Sequence, residues 1–182
     1  MDKMDLFNSK ELSKSDILKY LNELNEMLKN DNKFGKLYLY GGTVMALKYN
    51  SRVSTQDIDA IFDAEFLEDY LNIIKTKYGL FDDWINDDVE VCIADGKEDL
   101  EELNLGYSNL EIKVPSLDYM IAMKAFSGRN PKYYKDMVDL KHLIELKGIN
   151  NFKDIEKIVV KFYPLKFWKE TAQNYIKEML GE

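Results

Sequence analysis

Cysteine, histidine and proline are rare in this sequence, and their rarity excludes several classes of protein. The 182 residues include one cysteine, one histidine and three prolines. The single Cys92 excludes an internal disulfide and fits a reducing compartment, and a zinc site of cysteine and histidine ligands is excluded too. The first ten residues are charged, without the apolar stretch of a signal peptide, and no apolar run approaches the roughly 18 residues of a membrane span. The sequence therefore predicts a cytoplasmic protein with no membrane partner.

Positive charge is also scarce, and nearly all of it is lysine. The sequence has 25 Lys and Arg against 33 Asp and Glu, a formal net charge of -8. A broad nucleic-acid-binding surface is thereby disfavoured, because phosphate backbones are held by clustered Lys and Arg, but a pocket for one nucleotide or one RNA end remains compatible. The only arginines are Arg52 and Arg129. Their planar guanidinium groups bind phosphate bidentately, so both are candidates for anion contacts.

Hydrophobic periodicity divides the chain into a small α/β core and a helical part. The spacing of apolar residues from Ser15 predicts an N-terminal helix, and strands and helices alternate from there to Pro115. Predicted strands cover 37–40, 57–62, 89–93 and 110–114, predicted helices cover 43–49, 64–77, 116–127, 133–147, 152–162 and 165–180, and 97–104 is a short helix or loop. The fold class predicted is mixed α/β (α+β), with a β-sheet core in residues 1–115 and a helical C-terminal part in 116–182.

Two aspartates and two glycines form the combination that points to chemistry. Asp57 and Asp59 lie two residues apart in a predicted strand, so both side chains face the same side. Neighbouring carboxylates repel each other unless a cation or proton lies between them, and Mg²⁺, which prefers oxygen ligands, completes its shell with water and substrate phosphates. Gly41 and Gly42 join a predicted strand to a predicted helix, a turn that lets phosphate approach the backbone, and Thr43 adds a hydroxyl.

Each half of this combination is weak evidence by itself. Acidic pairs also cap turns and line solvated strand faces, and glycine pairs occur in many turns. The order is more specific, because a strand, Gly41-Gly42 and a helix are followed, 14 residues after Thr43, by Asp57 at the start of D-x-D on a second strand. The functional interpretation is therefore favoured over the structural one. For Arg52 two interpretations stay open: a contact to a phosphate or the acceptor, and an exposed ion pair with a carboxylate.

Two separate groups of residues resemble the motifs of a known superfamily. The first group consists of Gly41-Gly42-Thr43 and Asp57-Ile58-Asp59. It resembles the G-[GS]-x(n)-D-x-D signature of DNA polymerase beta-type nucleotidyltransferases. The second group lies downstream and consists of Lys124, Gly128-Arg129, Lys135-Asp136 and Asp139. It is similar to the K…R…KD..D pattern of the AbiEii toxin-like branch of that superfamily. The similarity covers roughly residues 37–143. It implies a nucleotidyltransferase core with a helical C-terminal part.

The resemblance implies roles for the first group of residues. Asp57 and Asp59 would bind Mg²⁺ and the nucleoside triphosphate, while Gly41, Gly42 and Thr43 would cradle the phosphates. The implied chemistry is an in-line displacement at the α-phosphate in which pyrophosphate leaves, helped by positioning and by cationic stabilisation.

The downstream residues also receive roles from the resemblance. Lys124 and Arg129 would contact phosphate or stabilise developing charge. Asp136 and Asp139 would complete the nucleotide site by orienting these cations or by contacting the acceptor.

The sequence departs from the superfamily pattern at the third carboxylate. Active members usually carry one on a following strand, as a general base or a further metal ligand. The candidates are Glu111 in the segment LEIKV and, less well placed, Glu90 in VEVCI, and each could equally be the solvent-facing residue of an alternating strand. Gly42 also replaces the serine common in many members, a change that the toxin-like branch accepts.

Three functions follow as hypotheses. The first is a Mg²⁺-dependent nucleotidyltransferase that moves a nucleoside monophosphate from an NTP to an RNA end, a protein hydroxyl or a small molecule, as a component of a toxin–antitoxin pair with an antitoxin protein as partner. The second is a catalytically inactive module of the same fold that binds nucleotide or docks a partner. The third is an antibiotic-modifying nucleotidyltransferase.

Overall fold

The computed structural model describes residues 11–94, 96–127 and 134–182. The chain divides into two compact units, the first formed by Met1–Val89 and Glu102–Val114 and the second by Glu90–Glu101 and Pro115–Glu182. The sequence assigned residues 90–101 to the core unit, and that assignment is corrected here. None of the described helices is both long and apolar enough to cross a membrane.

The first unit is built around a mixed β-sheet. Its strands and helices are β1 (Leu12–Ser13), α1 (Lys14–Asn30), β2 (Gly35–Leu39), α2 (Gly41–Leu47), β3 (Ser54–Thr55), β4 (Ile58–Phe62), α3 (Phe66–Tyr78), β5 (Ile85–Asn86) and β7 (Leu110–Pro115), whose last residue belongs to the second unit. The short strand β6 (Leu100–Glu102) completes the five-stranded order β5-β4-β2-β7-β6, and β1 pairs with β3 in a separate ribbon. The mixed α/β fold predicted from the sequence is confirmed.

The sheet has one buried and one half-exposed face. In β2 the buried Leu37 and Leu39 alternate with the half-exposed Lys36 and Tyr38, as expected for a strand with one face in the core. The helices α1 and α3 approach the buried face so closely that a Cβ on Gly35 would lie 2.9 Å from a Leu67 methyl and 3.1 Å from a Leu28 methyl. The same alternation in β4 leaves Asp59 on the half-exposed face.

The N-cap of helix α1 lies two residues before Ser15, the residue at which the sequence predicts the helix to begin. Ser13, not Ser15, is the N-cap, and its Oγ accepts a hydrogen bond from the Asp16 N–H at 3.1 Å. The Asp16 carboxylate in turn accepts from the Ser13 N–H at 3.0 Å, which completes a capping box. The apolar pattern marked the helix, but it did not distinguish between two neighbouring serines.

The second unit packs helices around one buried helix. Its helices are α4 (Leu117–Phe126), α5 (Tyr134–Lys147), α6 (Phe152–Phe162) and α7 (Glu170–Leu180), and α4 contacts each of the other three. The Trp168 indole N–H donates to the Ala125 carbonyl at 2.9 Å, and the Tyr119 ring packs on Phe162 with ring centres 4.8 Å apart. A helix that is apolar all round, as α4 is, belongs in the centre of such a unit.

Two hydrogen bonds explain why residues 90–101 belong to the second unit. The Tyr119 hydroxyl accepts from the Ala94 N–H at 2.8 Å, and the Tyr163 hydroxyl donates to the Cys92 carbonyl at 2.7 Å. The segment 89–93, predicted as a strand, instead falls in the 3₁₀ turn Asp88–Cys92, in which Val91 is exposed. The alternation of apolar residues there did not correspond to a buried face.

Candidate active site

The turn between β2 and α2 is closed around an aspartate. The Tyr40 N–H donates to the Asp59 carbonyl at 2.9 Å, which holds the turn against β4. Gly41 follows with φ of +56°, and a Cβ at Gly41 would lie 1.9 Å from Asp59 Oδ2. The Asp59 carboxylate therefore occupies the space that any side chain at position 41 would need. Only glycine suits both this backbone conformation and this contact.

The second glycine of the turn meets an arginine and a threonine. A Cβ on Gly42 would lie 2.9 Å from Arg52 Nη1 and 2.4 Å from Thr55 Oγ1. A serine, common at this position in the superfamily that the sequence resembles, would require Thr55 to move. This geometry places the Arg52 guanidinium at the glycine turn, and both interpretations of Arg52, the contact to a phosphate or the acceptor and the ion pair with a carboxylate, stay predictions. Thr55 was not predicted as a site residue, because a strand of two residues is too short to show a pattern.

The two aspartates share the half-exposed face of the sheet. Asp59 pairs in register with Asn86 of β5, and residues paired in this way point to the same face. The Asn86 Nδ2 donates to Asp57 Oδ2 at 3.1 Å, so the Asp57 side chain lies on that face as well. Both aspartates are partly exposed. Two carboxylates on one face form a donor set that suits Mg²⁺, which is usually bound by one or two carboxylates plus substrate phosphates.

Thr43 has a positional role in this arrangement. Its side chain is fully buried, and its Oγ1 donates to the Asp57 carbonyl at 3.4 Å. This bond ties α2 to the residue that precedes β4. The enclosed hydroxyl therefore helps to hold Asp57 in place, and a contact between the Thr43 hydroxyl and a phosphate stays a prediction.

Glu111 does not supply the third carboxylate in this structure. Its two oxygens pair with Lys113 Nζ at 2.9 Å and Lys36 Nζ at 3.1 Å, and these two hydrogen bonds hold the pKa of Glu111 below its usual value. In the sheet register Glu111 lies beside Lys36, whereas Asp59 lies beside Tyr40. Four residues along a strand correspond to about 13 Å.

That separation is too large for a shared ion, because two ligands of one Mg²⁺ lie within about 4 Å of each other. Glu90, the other candidate, lies in the 3₁₀ turn of the second unit. Within residues 11–94, 96–127 and 134–182, no three histidine, cysteine or acidic side chains form a group that could hold a metal ion.

The downstream motif forms a buried ion cluster in the second unit. Lys124 Nζ lies 2.6 Å from Asp136 Oδ1 and 2.9 Å from Asp139 Oδ2. Lys124 and Asp139 are buried, with 7% and 2% of their surfaces exposed. The two aspartates are three residues apart on α5 and therefore share a face. Both aspartates pair with the lysine, the roles that the resemblance implies for them stay a prediction, and Arg129 lies outside the described residues.

We expect Gly41→Ala to destabilise the protein more than the same change at another glycine with positive φ. Gly79, at φ of +61°, is the matched control because a Cβ there would meet nothing within 4 Å. Both variants incur the strain of an L-residue at positive φ, about 1–2 kcal/mol. Gly41→Ala should lose about 1–3 kcal/mol more, since the new methyl group must displace Asp59. Urea unfolding of the two variants measures the difference, and equal losses would mean that Asp59 does not press on the turn.

Comparison with known proteins gives one match. The family model described as "Nucleotidyltransferase of unknown function (DUF6036)" matches residues 15–176, which is most of the chain. No curated protein and no solved structure matches the sequence. The match includes the glycine turn, both aspartates and the Lys124 cluster.

Proposed function

Because the chain belongs to this family of nucleotidyltransferases of unknown function, we propose that it transfers a nucleoside monophosphate from an NTP to an acceptor hydroxyl in a Mg²⁺-dependent reaction. One observation supports the proposal above the others: the Asp59 carboxylate lies against Gly41, on the sheet face that also carries Asp57. The metal-binding acids and the turn suited to phosphate are thus adjacent parts of one unit.

Each residue of the first unit has a defined task in this reaction. Asp57 and Asp59 would hold Mg²⁺, which would supply positive charge that neutralises the triphosphate. Gly41 keeps the turn open for the phosphates, and Arg52 offers its guanidinium beside Gly42. The acceptor oxygen forms a bond to the α-phosphorus, the bond to the bridging oxygen breaks, pyrophosphate leaves with that electron pair, and the hydroxyl proton passes to solvent.

The Lys124 cluster enters the proposal through the resemblance alone. A lysine held by two carboxylates is oriented and desolvated, and such a cation can exchange one carboxylate for a phosphate oxygen. We assign Lys124, together with Arg129, a contact to the triphosphate, and assign Asp136 and Asp139 the orientation of Lys124.

The acceptor should present few phosphates. The net charge of -8 disfavours a long RNA, since each phosphate contact needs a cation and the acidic residues outnumber the basic ones. An RNA end, such as the end of a tRNA, a protein hydroxyl and a small-molecule hydroxyl all satisfy this condition. A toxin role with an antitoxin protein as partner stays a prediction from the AbiEii-like pattern.

A second function is favoured by one specific observation. Lys113 of β7 and Lys36 of β2 pair with Glu111 in an ion network, and this candidate third carboxylate lies about 13 Å along the sheet from Asp59. A site without a third carboxylate suits a module that binds nucleotide and metal without transfer. The two functions differ in whether an acceptor carrying the transferred nucleoside monophosphate is formed.

Label transfer separates the two functions. The protein is incubated with each of the four NTPs labelled at the α-phosphate, Mg²⁺, and either total RNA, purified tRNA or no added acceptor. We expect label in RNA, in the protein itself or in a small product, and no label when EDTA replaces Mg²⁺. Binding of NTP without any transfer would support the inactive module and contradict the enzyme.

A further inference from the structure

We infer that Asn86 is a positioning residue that orients Asp57 for metal binding, an inference that rests on the proposed function. Asn86 is the last residue of β5 and carries no charge. Its amide Nδ2 donates to Asp57 Oδ2 at 3.1 Å. The bond engages one oxygen of the carboxylate, Oδ2.

The orientation of the Asn86 amide is fixed by its other contacts. Its Oδ1 accepts from the Asp88 N–H at 3.0 Å, and its Nδ2 also approaches the Asp83 carbonyl at 3.4 Å. If the amide were rotated by half a turn, its oxygen would face the Asp57 carboxylate and the Asp83 carbonyl, and its NH₂ group would face an N–H group. Every contact would then join two acceptors or two donors. Only one orientation is therefore compatible with the surroundings.

The strand that carries Asn86 is anchored in the core next to Asp57. The Ile58 N–H donates to the Trp84 carbonyl at 2.9 Å, and Ile85 pairs in register with Ile58. Trp84 is buried, and its ring meets Tyr20 edge to face with ring centres 5.6 Å apart. Asn86 is therefore held in place by the core, and its hydrogen bond holds the partly exposed Asp57 carboxylate in turn.

The neutral amide suits this task better than a cation would. A lysine or arginine would also donate to Asp57, but its charge would compete with Mg²⁺ for the carboxylate. An amide fixes the carboxylate and leaves its negative charge available to the ion. Partners of metal ligands that act in this way contribute about ten- to a hundredfold to metal affinity or activity.

The test measures metal binding directly, apart from activity. Mn²⁺, a probe for the Mg²⁺ site, is titrated calorimetrically into the wild type, Asn86→Ala, Asn104→Ala and Asp57→Asn, each without and with a non-hydrolysable NTP. Asn104 is the matched control, since its Oδ1 accepts from the Gly106 N–H at 2.9 Å in a turn of the same kind. We expect Asn86→Ala to weaken Mn²⁺ binding about tenfold or more, and Asn104→Ala to leave it unchanged.

The outcomes distinguish this inference from the proposed function. If Asp57→Asn abolishes Mn²⁺ binding while Asn86→Ala binds as tightly as the wild type, Asn86 only caps its turn and the inference is wrong, whereas the proposed site stands. If the wild type binds no Mn²⁺ with or without nucleotide, both are wrong. Thermal unfolding without metal measures the stability that each alanine variant loses, and Asn86→Ala should lose more than Asn104→Ala because the Asn86 side chain also donates to Asp57 and Asp83.

Discussion

Replacing Asp57 by asparagine is expected to lower label transfer at least about a hundredfold, with little change in thermal unfolding. Loss of a direct metal ligand should exceed the ten- to a hundredfold effect of losing a partner of such a ligand. Asparagine has nearly the size of aspartate, and the backbone carbonyl at position 57 still accepts from Thr43. The Asn86 amide can also still donate to the new side-chain oxygen. The substitution therefore removes the negative charge of the side chain and keeps the fold unchanged.

Asp63→Asn is the matched control for that measurement. Asp63 follows β4 directly, four residues after Asp59, and is exposed. Its substitution removes one negative charge from the same part of the unit without touching the glycine turn, so transfer should stay within about twofold of the wild type, as is usual for a surface change. If both variants lose activity equally, net charge controls the reaction and the assignment of Asp57 fails.

The local parts of the site were predictable from the sequence. Asp57 and Asp59 are two residues apart, and the two-residue period of a strand fixed their common face before any distance was known. The glycine at position 41 indicated a turn in which the backbone adopts an unusual conformation, and Gly41 has a positive φ. Apolar spacing likewise located α6 at Phe152–Phe162, in agreement with the prediction for 152–162.

The nonlocal parts were not predictable, because strand register is set by residues far apart in sequence. Glu111 had the right residue type on a correctly predicted strand, but its pairing with Lys36 displaces it from the aspartates. Asn86 and Thr55 lie in strands of two residues, which are too short to show a period. Both reach the site through tertiary contacts, Asn86 with Asp57 and Thr55 with the glycine turn.

The buried lysine of the second unit should be the most sensitive position for stability. Lys124→Met is expected to lower the free energy of unfolding by about 3–5 kcal/mol, since removing one partner of a buried ion pair leaves uncompensated charge. Here two carboxylates would lose this cation, because Lys124 lies between Asp136 and the 2%-exposed Asp139. Methionine fills most of the volume of the lysine stem, so cavity formation contributes little to the loss.

The same substitution at Lys161 supplies the comparison. Lys161 Nζ lies 2.8 Å from Asp118 Oδ2, but 56% of its side chain is exposed, and Asp118 keeps a second partner in Lys147 at 2.6 Å. Exposed pairs contribute about 0–1 kcal/mol, so urea unfolding of Lys161→Met should show a loss in that range. A loss for Lys124→Met no larger than this would mean that Asp136 and Asp139 do not depend on the lysine.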